Sequence, residues 1–242
     1  LATQTIGVRN IAIGKSALTL STTGTDNVAI GATALDANTT GVENVAIGTD
    51  ALGANTIGTF NIAIGDDAML LNTTGVSNVA IGRDTLAANT IGINNVAIGD
   101  QAMDANTTGT HNVAVGTNAL GANTTGIRNI AIGRDALLVN TIGIDNVAVG
   151  SDALAGNTTG VRNIAIGHQS SLASTIATDN VSVGYVSMNS CTTGVQNVAI
   201  GANAADALTI ATACVAVGYD SLGAVTTGVN NTAVGSGAGN TI

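Results

Sequence analysis

Apolar and polar positions along this chain recur every 17 residues, and the string Asn-(Val/Ile)-Ala-(Ile/Val)-Gly marks each recurrence. It begins at Asn10, Asn27, Asn44, Asn61, Asn78, Asn95, Asn112, Asn129, Asn146, Asn163 and Asn197, with one-residue variants at Asn180 and Asn231 and Cys214 in the Asn place of the remaining copy. There is no insertion or deletion across fourteen copies. Numbering the slots 1 to 17 from that Asn gives the consensus Asn-Val-Ala-Ile-Gly-x-x-Ala-Leu-x-x-Asn-Thr-(Thr/Ile)-Gly-Val-x. Slots 2, 4, 14 and 16 are mostly β-branched, and slots 2–4 and 14–16 alternate with the period of two that marks strands. Seventeen residues are also too few for a helical-hairpin repeat, which takes about 34. The pattern predicts an all-β fold, a parallel β-solenoid or β-roll in which each repeat is one rung.

Two strands are expected per rung, over slots 1–4 and 13–16, with slots 8–9 as a short third side or bulged turn. Bends are expected between slot 15 and the next slot 1, at the invariant Gly of slot 5, and, more weakly, at slots 10–12, because Gly and Asn tolerate unusual backbone angles. If slots 2 and 4 fill the interior, slot 3 points outward. Slot 3 is Ala in thirteen copies and Ser182 in the other. A small apolar column on the outer face would then be a contact between chains. Fourteen rungs at strand spacing make a rod of about 67 Å, read as one repeat array over residues 1–242. Leu1 falls in slot 9 and Ile242 in slot 12, so both ends of the sequence cut through a repeat. That suggests a window on a longer array or a processed fibre subunit.

These residues resemble the head repeats of trimeric autotransporter adhesins, and the longer form with Asn-Thr-Thr-Gly is similar to arrays in phage tail-fibre and bacterial surface proteins. The resemblance spans the whole chain. It implies a left-handed β-roll in a homotrimer, on a cell surface or as a virion tail fibre. The 17-residue period is longer than is usual for those adhesin heads, and the C-terminal chaperone that many tail fibres carry is not seen in this sequence.

Composition narrows the function. The chain has 242 residues and a net charge of −9, with 9% charged and 1% aromatic residues, no Pro and no Trp. Nucleic-acid binding needs clustered Lys/Arg and stacking aromatics, so it is excluded. No apolar run approaches the ~18 residues of a membrane span, and no signal peptide is visible. All 21 charged residues fall in slots 6, 7, 10 and 17, as do His111, His168, Phe60, Tyr185 and Tyr219. Asp50, Asp67 and Asp84 share slot 7 on consecutive rungs, with Asp66 and Asp100 in slot 6. Their oxygens invite a Ca²⁺ site, but they are read as a solvated edge partly neutralised by Arg83. His111 and His168 lie on distant rungs and are read as surface residues. Cys191 and Cys214 sit in different columns and are read as unbonded substitutions for Asn.

The Thr column of slot 13 raises an ice-binding reading, but one column makes a poor plane, so a structural hydroxyl ladder is preferred. No Ser-His-Asp arrangement or phosphate loop is present. No catalytic, cofactor or metal residues are assigned, and no enzyme activity is expected. The function expected is a structural or adhesive fibre segment, with an end-to-end filament subunit and an ice-binding solenoid as alternatives.

Overall fold

The computed structural model describes residues 7–240; Leu1 and Ile242, placed above in slots 9 and 12, lie outside them. The described residues contain fourteen three-residue strands and no helix, one strand per repeat over slots 2–4. They run from β1 (Ile11–Ile13) through β7 (Val113–Val115) and β8 (Ile130–Ile132) to β14 (Thr232–Val234). Within β1 to β7 and within β8 to β14, strand order is chain order and neighbours are parallel. Each pairs slot on slot, as Val45 with Ile62, Ala46 with Ala63 and Ile47 with Ile64. Two compact units divide the chain, Leu1–Thr125 with β1 to β7 and Gly126–Ile242 with β8 to β14. Each is a parallel β-solenoid, as the 17-residue register predicts.

The orientation of the strand is the reverse of the expected one. Slot 3 faces inward: Ala29, Ala46, Ala63, Ala80, Ala97 and Ala114 are fully buried, and so is Ser182. Slots 2 and 4 face outward, with Ile62, Ile98, Ile132 and Ile166 each more than a third exposed. The interior is built from slots 1, 3, 8, 9, 12 and 15, that is Asn, Ala, Ala, Leu, Asn and Gly. A 17-residue coil with several bends encloses a narrow lumen, and in most rungs only the Leu or Met of slot 9 adds bulk to it. Polarity misleads here, because the Asn side chains belong inside. Asn61 Oδ1 accepts from the Asn78 backbone N–H at 3.0 Å and from Asn78 Nδ2 at 3.2 Å, while Asn61 Nδ2 donates to the Gly75 carbonyl at 2.8 Å. A buried amide with its partners supplied is tolerated, and it replaces the backbone acceptor that the preceding bend removes.

The bends match the expected ones at slot 5 and at slot 17, which lies between slot 15 and the next slot 1, and differ elsewhere. Forty non-glycine residues have φ between 49° and 61°, and they occupy slots 7, 9 and 17. Asp and Asn adopt this left-handed region more readily than most residues, and they fill eight of the thirteen non-glycine slot 7 positions, among them Asp50, Asp67 and Asp84. Slot 5 bends where it should: its glycines have φ between 125° and 143°. The slot 15 glycines have ordinary φ and serve as space instead. A methyl at Gly75 would overlap Asn72 Oδ1. Every rung with Asn in slot 12 keeps Gly in slot 15, and the two Ala exceptions, Ala177 and Ala211, follow Ser174 and Leu208.

The second expected strand does not form. In the first unit slots 13–16 are irregular, and in the second only single-residue bridges join slot 16, from Ile144 to Val229. Three donors converge on one carbonyl there: Thr39 N, Thr40 N and Thr39 Oγ1 all reach Thr56 O, at 2.9, 3.2 and 3.0 Å. That convergence pulls the segment out of strand pairing.

Candidate functional surface

Every charged, histidine and aromatic side chain among the described residues lies in an outward slot, so the candidate site is a surface with three kinds of stripe. The first is the sheet face of slots 2 and 4, Val or Ile throughout except Thr232, without a single charge. The second is formed by slots 14 and 16, all Thr, Val or Ile, where Ile57, Ile91, Ile142, Ile176 and Ile210 are each more than half exposed. The third comprises the charged slots. Sequence reading missed the first two because it assigned slots 2 and 4 to the interior. The usable signal was the occurrence of Asp, Asn and His in slots 7 and 17, which marks left-handed corners and so fixes which way the strand faces.

At slot 17 adjacent rungs pair ionically: Arg9 with Asp26, Arg128 with Asp145 and Arg162 with Asp179, each through two guanidinium nitrogens at 2.5–2.9 Å. The hydrogen bonds from arginine hold the three carboxyls below the usual carboxylate range. Their stabilising effect is present above that range and is lost as pH falls through the lowered values. It is small at sites this exposed. His111 Nε2 lies 3.1 Å from Asn94 Nδ2, and the His168 ring stacks on Tyr185 with centroids 5.6 Å apart.

The aspartate ladder is split by its one cation. Arg83 bonds Asp84 at 2.5 Å and Asp100 at 2.9 Å. Asp67 is pushed above its ordinary value, by burial first and then by Asp84, Asp50 and Asp66. Among the described residues, no three His, Cys, Asp or Glu side chains converge as a metal-holding group. The left-handed backbone of slot 7 is sufficient cause for Asp there.

Slot 10 carries a different strain. Burial raises the carboxyls of Asp36, Asp104 and Asp206. A raised folded value means the native chain binds more protons than the unfolded one, so stability falls as pH rises through that window. Asp104→Asn is therefore expected to be more stable than the parent at pH 7, with the advantage gone below the ordinary carboxylate range. Melting curves at the two pH values check this.

The slot 13 hydroxyls are engaged: Thr56, Thr73 and Thr90 each donate to the Thr carbonyl one rung on, at 3.1 Å. They form the structural ladder expected of them. Cys191 and Cys214 are free and buried, and burial pushes the Cys191 thiol up. No helix among the described residues is long and apolar enough to cross a membrane. No protein-family model matches the chain, and no curated protein matches it either.

Proposed function

We propose that this chain is a non-catalytic segment of an extracellular structural or adhesive fibre, a β-solenoid that associates with further copies of itself and meets its surroundings through the variable slots. The observation that supports it most is the outward sheet face. Two uninterrupted β-branched columns stand on the outside of each unit, and long uncharged apolar faces mark association sites. The homotrimer, and the cell surface or virion as its place, follow from the resemblance to adhesin heads and tail fibres. A fibre segment needs no pocket; weak contacts repeated over many rungs and several chains gain strength by avidity.

The solution mass tests this reading. The parent chain is expected to be trimeric by light scattering, and Ile81→Asp with Ile98→Asp to yield a folded monomer, since both positions face outward on slot 4. A monodisperse parent monomer would remove the reading. Deleting residues 78–111, two whole repeats of the first unit, is expected to leave circular dichroism per residue unchanged and to weaken attachment only modestly. Attachment abolished with the fold intact would instead locate a discrete site in those repeats.

A second reading draws on slot 14. Its eight described threonines, including Thr40, Thr74, Thr108 and Thr159, are exposed and alternate with isoleucine beside the β-branched slot 16. An ice-binding face would lie there and not on slot 13. Thermal hysteresis lost on replacing Thr74 and Thr108 by Lys would favour it over the fibre.

A further inference from the structure

We propose that the coil from Asn163 to Cys191 is a preset opening point, where local unfolding and protease entry into the second unit begin. Four interior columns fault within it. In slot 12 the amide ladder that links Asn140 to Asn157, with Asn157 Nδ2 donating to Asn140 Oδ1 at 2.8 Å, meets Ser174 and stops. Asn157 Oδ1 is left buried with no hydrogen-bond partner. An unsatisfied buried acceptor forfeits its hydration without return. Beyond Ser174 the column turns apolar, through Cys191 to Leu208 and Val225. The coil is therefore the seam between amide-laddered and apolar stacks.

In slot 9, Ser171 replaces the Leu or Met of its neighbours Leu154 and Met188, removing bulk where the lumen has little else. Slots 3 and 8 carry Ser170, Ser182 and Ser187 where most rungs have Ala. Their hydroxyls bond one another, Ser170 Oγ to Ser182 Oγ at 2.8 Å and Ser182 Oγ to Ser187 Oγ at 2.6 Å. Hydroxyls satisfied this way lose little when water enters, whereas buried methyls resist it. Opening a coil costs mainly its own interior contacts and its two neighbour interfaces, so the faults act together in one place.

Hydrogen exchange with mass spectrometry on the full chain tests this. Amides between Ile164 and Cys191 are expected to exchange at least about tenfold faster than those between Ile130 and Asn157, a ratio equivalent to about 1.4 kcal/mol. The first thermolysin cuts should fall in the same stretch. Ser171→Leu restores the slot 9 column and is expected to slow that exchange about tenfold. Ser174→Asn alone should speed it, because the Ala177 methyl takes the space that Asn needs. Ser174→Asn with Ala177→Gly should carry the unsatisfied carbonyl one rung on, and the fast-exchanging stretch with it, toward Cys191–Leu208. Equal exchange across the inner coils of the second unit, or first cuts in another inner coil, would overturn the proposal. So would Ser171→Leu leaving the exchange unchanged.

Discussion

Ala97→Asp is expected to prevent the first unit from folding. Ala97 is fully buried and pairs with Ala80 and Ala114 in the neighbouring strands. A carboxylate there would enter a lumen of amides and methyls, with no buried Lys or Arg among the described residues. An unpaired buried charge costs several kcal/mol, a large part of the stability of a domain. Ile98→Asp changes the next residue, on the outer face, and is expected to keep the coil and lose only self-association. Circular dichroism and melting of the two variants separate them. Equal losses from both would mean that slots 3 and 4 are not on opposite sides of the wall.

The second large effect is expected at the corner glycine. Gly65 has φ +140°, a region closed to side-chain-bearing residues, and a methyl on it would overlap the Gly82 carbonyl of the next rung. Strain and overlap together are expected to cost about 3 kcal/mol or more in Gly65→Ala, read by urea unfolding. Gly143→Ala, at slot 15, meets Asn140 Oδ1 as well as the Gly160 carbonyl. Part of its loss should therefore be recovered by Asn140→Ser, the residue type that precedes Ala177. No second substitution rescues Gly65→Ala, because its obstacle is backbone.

The register, the fold class and the absence of indels were legible because side-chain columns cannot stack if one rung slips. The facing was not. Hydrophobicity pointed Val45 and Ile47 inward and Asn44 to a turn, whereas the lumen is too narrow for paired β-branched residues and its bends need amide acceptors. The bends themselves were half legible: Gly48 declared one and Phe60 lies in the stretch before Asn61 where another is expected, but Asp50 and Leu52 adopt left-handed backbone without being glycine. For the surface, the restriction of charge to slots 6, 7, 10 and 17 identified the variable stripes correctly. The exposed apolar stripes became apparent only with the orientation of Ala46.

Slot-on-slot pairing also bears on inheritance. Within each unit every rung meets its neighbour through the same slots, Val28 on Val45 as Val79 on Val96. A gene encoding such an array can gain or lose a whole repeat by misaligned copying and keep every remaining rung in the same slot-on-slot register. Frame and fold survive together, so lineages can vary the reach of the protein without having to vary its chemistry.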